Sequence, residues 1–159
     1  MKNSRLNKVN EAAPLCYRIE AFDPKAHLFR VGLLIGSAAL DGQAVERHNL
    51  LSPTEAPQKS FVEQQLEPYV GPVVASTDYM KAYAEQIRPF IPKGRTYKVL
   101  GTDGFGRSDF RSKLREHFEV NRHYIVVAAL KALSEEGKVP VAQVAEAIKK
   151  YGIKTDKIN

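Results

Sequence analysis

Cysteine occurs once in this chain, at position 16, which rules out an internal disulfide. It also rules out zinc held by several thiolates, and it suits a reducing compartment such as the cytoplasm. Long apolar runs are missing as well. Every hydrophobic stretch breaks within a few residues, far short of the roughly 20 that a membrane-crossing helix needs. The opening MKNSRLNKVNEAAP is basic but leads into no apolar segment of the kind a secretory signal contains, so no membrane association or export is expected. Signatures of catalysis are also lacking. There is no G-x-S-x-G elbow and no GK[ST] phosphate loop. His27, His48, His117 and His123 fall at no spacing that a helix turns into a ligand pair. Cys16 has no histidine neighbour or helix start to lower its pKa. No pair of carboxylates sits in apolar surroundings that would separate two pKa values.

What is present fits one soluble globular domain: 159 residues, 43% of them hydrophobic. The formal charge of +6 raises nucleic acid as a partner. From Lys81 to Arg122, ten Lys or Arg face five acids, but the acids interleave at helical spacings. Such a pattern marks a solvated face with local ion pairs, so no nucleic-acid partner is expected.

Along the chain, VGLLIG (31–36) is a short apolar run that suits a buried strand or a helix fragment. A short helix is predicted from Asp41, carrying Val45, Leu50 and Leu51 and stopped by Pro53. Another is predicted over FVEQQL before Pro68. PVVAST (72–77) reads as a strand, with Ser76 or Thr77 capping a helix over 78–91. Tyr79, Met80, Tyr83, Ala84, Ile87 and Ile91 would form its apolar face. TYKVLGT (96–102) reads as the next strand. Ser108 is predicted to cap a helix whose stripe is Phe110, Leu114 and Phe118. Asn121 is predicted to cap a further helix with Ile125, Val126, Ala129, Leu130 and Leu133 on a broad apolar face, closed by Gly137. Pro140 opens the last helix and Gly152 closes it. Strand, helix, strand, helix is the order of a parallel βαβ unit. The expected fold is therefore α/β: a small, mostly parallel sheet with helices packed on it.

The stretch VLGTDGFGRSD raises the sharpest chemical question. Gly101, Asp103, Gly104, Gly106, Arg107 and Ser108 lie between a strand and a helix, where backbone amides and the helix dipole favour an anion. Yet the spacing lacks the third glycine of the dinucleotide fingerprint, and two aspartates would repel phosphate. The competing reading is a tight turn that needs glycine for its backbone conformation.

A wider resemblance bears on that question. DGQAVERHNLLSP, VVASTDYMKAYAEQIR, YKVLGTDGFGRSDFRSKLREHFEV, YIVVAALKAL and the closing KIN resemble, in this order, the C-terminal domain of the decarboxylating component of the pyruvate dehydrogenase complex. The type is the large homodimeric bacterial one, of the transketolase-like class, and the resemblance covers residues 41–159. It implies a transketolase C-terminal-like domain, here incomplete. Family members convert pyruvate to an acetyl group on lipoyl and release CO2, using thiamine diphosphate and magnesium bound between two earlier domains. Those domains carry the catalytic histidines and glutamate, and none of their motifs is present in this chain. The resemblance thus implies no catalytic, cofactor-binding or metal residue here, and a role in domain packing and dimerisation. It implies as partners the other domains or subunits of the complex, with self-association. A stand-alone anion- or nucleotide-binding module is the alternative. Upstream of Asp41, LCYRIEAFDPKAHLFRVGLLIGSAAL does not resemble the family, so residues 1–40 are expected to be an atypical segment, poorly ordered or partly strand. A truncated gene, a frameshift or a rearranged start each gives such a junction.

Overall fold

The computed structural model describes the backbone of residues 21–23 and 28–30, and residues 35–157 throughout. The chain divides into two compact units that part between Gln65 and Leu66.

In the first unit, β1 (Ala21–Asp23) pairs antiparallel with β2 (Leu28–Arg30), Phe22 opposite Phe29. Helix α1 runs Ile35–Leu51. It begins six residues ahead of the predicted start at Asp41, so Ile35 and Gly36 are helical rather than strand; residues 31–34 of the same apolar run lie outside the described residues. The reason is a face of small residues: Ala38, Ala39 and Gly42 are its buried positions. Leu50 and Leu51, predicted as apolar contacts, are exposed. After α1 the proline-rich loop is closed by Asn49, whose side-chain amide donates to the Gln58 carbonyl (3.0 Å) and accepts from the Gln58 amide (2.8 Å). Helix α2 (Phe61–Leu66) opens on a capping box. Ser60 Oγ accepts from the Glu63 amide, and the Glu63 carboxylate accepts from the Ser60 amide and hydroxyl. Asp41 takes the Phe61 amide at 2.6 Å, which ties α2 to α1.

The second unit is built on β3 (Val73–Ser76) and β4 (Tyr97–Leu100), which pair in parallel with Val73 opposite Tyr97 and Ser76 opposite Leu100. This is the predicted βαβ unit. The crossover is not one helix, however. Helix α3 spans only Lys81–Glu85, and a 3-10 turn follows at Arg88–Phe90. Two local causes shorten it. Thr77 Oγ1 accepts from the Tyr79 amide (3.1 Å) in a hydroxyl turn that holds residues 77–79 out of the helix. Pro89 lacks the amide that an α-helix would need there. Ala84, Ile87 and Phe90 are buried, whereas Tyr79, Met80 and Tyr83 stay exposed.

Tyr97 locks the crossover to the sheet. It is 6% exposed, its hydroxyl donates to the Ala84 carbonyl (2.8 Å), and the Arg88 guanidinium lies 4.9 Å from its ring centre. Glu85 grips Arg88 at 2.5 and 2.8 Å. Upstream, Arg95 donates to the carbonyls of Gly71 (2.6 Å) and Leu66 (3.0 Å), fixing the turn that enters β3. Helices α4 (Arg111–His117), α5 (Arg122–Glu135) and α6 (Val141–Lys150) complete the unit, with α5 packed on both strands and on α6. Asn121 caps α5 as predicted, accepting from the amides of His123 (2.9 Å) and Tyr124 (3.3 Å). Gly137, at φ 72°, closes it with Lys138 N–H donating to the Leu133 carbonyl. No helix among the described residues is long and apolar enough to cross a membrane.

Candidate functional site

Parallel strands aim their carboxyl ends at one side of a sheet, and open α/β folds place ligands in the crevice outside those ends. Here the residues following β3 and β4 line a cleft of about 450 Å³ there. Asp78 and Thr102 come from the two strand exits; Gly104, Phe105, Gly106, Arg107 and Asp109 come from the loop; Arg111, Leu114, Arg115 and Phe118 come from α4 and its end.

The six residues singled out from sequence do not act together. Gly101 is buried against the turn before α3: a Cβ there would stand 2.7 Å from both the Lys81 nitrogen and the Tyr79 oxygen. Its role is close approach of two backbones. Asp103 turns toward the same helix, accepting from the Lys81 amide at 2.9 Å and standing 3.5 Å from Lys81 Nζ. The loop thus brings its own carboxylate to an amide that an anion would otherwise contact. Thr102 completes the seam through the Tyr79 carbonyl (2.9 Å) and the Asp78 carbonyl (3.2 Å). Gly104 has φ 97° and needs glycine for that conformation. Gly106 has neither demand on it. Gly104, Gly106 and Arg107 reach the cleft; Gly101, Asp103 and Ser108 do not line it.

Ser108 requires a correction. Helix α4 starts at Arg111, its N-cap is Phe110, and no side chain caps it. Asp109 instead accepts from the Phe110 amide at 2.7 Å, so the chain is turned by the residue after Ser108.

Sequence reading missed Asp78, Arg111 and Arg115. Arg115 grips Asp78 through two bonds, Nε to Oδ1 at 3.0 Å and Nη2 to Oδ2 at 2.5 Å. That hydrogen bonding holds the Asp78 carboxyl below its ordinary range, against the opposing pull of burial, with the charges of Arg115 and Arg111 adding to the effect. The four-residue spacing of Arg107, Arg111 and Arg115 was a readable signal; the partnership with Asp78 across the fold was not. Ser76, placed where a nucleophile elbow would be, donates to the Val120 carbonyl at 3.2 Å. His123 stacks on Tyr151 (4.6 Å between ring centres), His117 meets Phe118 edge to face, and His48 lies 3.3 Å from Glu55. Cys16 and His27 lie outside the described residues.

The donor set does not fit a magnesium diphosphate. Asp78, Asp103 and Asp109 are each engaged by a guanidinium or an amide, and among the described residues no three His, Cys, Asp or Glu side chains converge on a metal position.

Residues 24–121 match the family described as the transketolase-like C-terminal domain. The chain belongs to this family. Its two parallel strands with helices packed on them are a partial form of the α/β transketolase C-terminal fold. Among curated proteins, the pyruvate dehydrogenase E1 component of Cupriavidus necator is 59% identical over 121 residues, which is 76% of this chain and 13% of that protein. The component of the same name from Pseudomonas aeruginosa is 60% identical over 119 residues, 75% of this chain and 13% of that protein. The one from Escherichia coli strain K12 is 51% identical over 121 residues, with 76% and 13% covered. The chain therefore spans about 13% of the length of the curated relatives it matches.

Proposed function

We propose that this chain is a C-terminal domain serving a pyruvate dehydrogenase of the thiamine-diphosphate type, in the cytoplasm, and that it works by packing rather than by chemistry. The observation that carries the reading is the 59% identity to the pyruvate dehydrogenase E1 component of Cupriavidus necator, confined to 13% of that protein. In the complete assembly, thiamine diphosphate supplies the decarboxylating chemistry that turns pyruvate into an acetyl group for lipoyl. This chain's part is to present a rigid face to the remaining domains and to support dimerisation. The seam of Gly101, Thr102 and Asp103 against residues 78–81 supports that role, since it holds the loop and α3 as one surface.

A complementation experiment tests this. The Cupriavidus necator protein, truncated of the region that matches this chain, should co-elute with the added 159-residue chain as a defined complex. Calorimetry on the chain alone with thiamine diphosphate and magnesium should give no saturable heat. Failure to co-elute, or micromolar cofactor binding by the isolated chain, would refute the reading. A second reading, a stand-alone anion- or nucleotide-binding module, is favoured by Arg107 and Arg111 at the cleft; saturable binding of a nucleotide, lost in Arg107→Ala, would establish it.

A further inference from the structure

The cleft has unspent recognition chemistry. Of its three arginines, Arg115 is committed to Asp78, while the Arg107 and Arg111 guanidinium groups have no hydrogen-bond or close ion-pair partner among the described residues, Arg111 acting on Asp78 only through its charge. The two carboxylates at the cleft are both occupied, Asp78 by Arg115 and Asp109 by the Phe110 amide. The cleft is positive by one charge, its three arginines standing against the Asp78 and Asp109 carboxylates, and guanidinium groups bind carboxylates through paired donors. The lining also includes the apolar side chains of Leu114 and Phe118. Phe105, which lines the cleft, is 98% exposed, and Phe110, next in the chain to the lining residues Asp109 and Arg111, is 81% exposed. A small anion seated on the arginines would leave both rings in water. An occupant that covers them as well must extend beyond the cleft, as a polypeptide does.

We propose that the cleft between the Gly104–Asp109 loop and α4 docks an acidic segment of the larger polypeptide that this domain serves. Carboxylates of that segment pair with Arg107 and Arg111, and its apolar side chains cover Phe105 and Phe110. The source follows from length: the relatives hold most of their polypeptide outside the stretch that this chain matches. The inference rests on the reading of the chain as a packing domain, and it specifies the chemistry of what packs.

The test uses the full chain and a fluorescein-labelled peptide of glutamates alternating about two leucines, followed by anisotropy. Binding should saturate, weaken with added salt, and fall about tenfold or more in the double variant Arg107→Glu, Arg111→Glu. Lys138→Glu, a charge reversal away from the cleft, should leave it unchanged, and circular dichroism should show the double variant folded like its parent. Replacing the two leucines by serine should weaken binding further. The truncated Cupriavidus necator protein should displace the peptide. Undiminished binding by the double variant, equal binding of a lysine-for-glutamate peptide, or full displacement by inorganic phosphate would each overturn the proposal. If the truncated protein co-elutes with the chain without displacing the peptide, the docking site is wrong while the packing role stands. If it does not co-elute at all, the packing role itself fails.

Discussion

At the scale of single residues, the hydrogen-bond partners decide which side chains matter. Asn121 satisfies two amides at the start of α5, whereas Ser108 lies ahead of α4 and caps nothing. Asn121→Ala should therefore cost about 1 kcal/mol, and Ser108→Ala should stay within about 0.5 kcal/mol of the parent; urea denaturation of both variants checks the contrast. Tyr97 offers a pH-dependent case. Its phenol is pushed up from 10.0 to about 12, first by burial, with the Glu85 charge adding and the Arg88 charge opposing. Folding therefore favours the neutral phenol. That contribution is complete below pH 10, where both states are protonated, and is lost as pH rises from 10 through 12. At about 1.4 kcal/mol per pH unit it amounts to roughly 2 to 3 kcal/mol. Tyr97→Phe should cost about 1 to 3 kcal/mol at neutral pH, because it strands the buried Ala84 carbonyl. It should also show a shallower stability loss than the parent between pH 10 and 12, measured by denaturant midpoints across that range.

At the scale of elements, the fold was legible wherever its causes are local. Asn121, Gly137 and Gly152 mark helix ends through contacts within a turn or two, and both α5 and α6 match what those residues predict. Strands β3 and β4 were legible too, each a short β-branched or aromatic run between turn residues, whereas β1 and β2, three residues each, carry no such run. Helix α3 is the exception, overextended although its causes are local: the Thr77 hydroxyl turn holds residues 77–79 out of the helix and Pro89 ends it, and the apolar spacing of Tyr79, Met80 and Tyr83 hid both. Likewise, the small-residue face of α1 carries little of the apolar contrast that periodicity detects. The cleft was half legible. Its loop announces itself through glycine, but Gly101 is needed for close backbone approach, Gly104 for its positive φ, and Gly106 for neither, which only the structure around each separates. That difference is measurable. Gly101→Ala forces a Cβ to within 2.7 Å of two backbone atoms and should destabilise by roughly 2 to 3 kcal/mol, while Gly106→Ala meets open space and should be close to neutral. Equal midpoints for the two variants in thermal denaturation would contradict this account of the seam.

At the scale of the whole molecule, several large apolar side chains of the second unit are exposed. Tyr79, Met80 and Tyr83 at α3, and Phe105 and Phe110 on the loop, all stand in water. The Tyr79 and Tyr83 rings stand edge to face with centres 5.4 Å apart, and contiguous exposed apolar patches mark interaction surfaces. The isolated chain should therefore self-associate as its concentration rises, and the double variant Phe105→Ser, Phe110→Ser should shift it toward monomer in sedimentation velocity. An unaltered distribution would remove these rings from the contact. The Tyr97 clamp also has a consequence for the order of assembly. A parallel pair cannot close like a hairpin; β3 must wait until the whole crossover has brought β4 alongside, and that loop entropy is lost before any strand contact repays it. In the folded unit the hydroxyl bond to Ala84 and the Arg88 stack hold the crossover compact, and the expectation is that they form before the strands close. Folding of this unit should accordingly be gated at the crossover. In stopped-flow experiments Tyr97→Phe should slow refolding more than it hastens unfolding, and the opposite partition would place the crossover after the rate-limiting step.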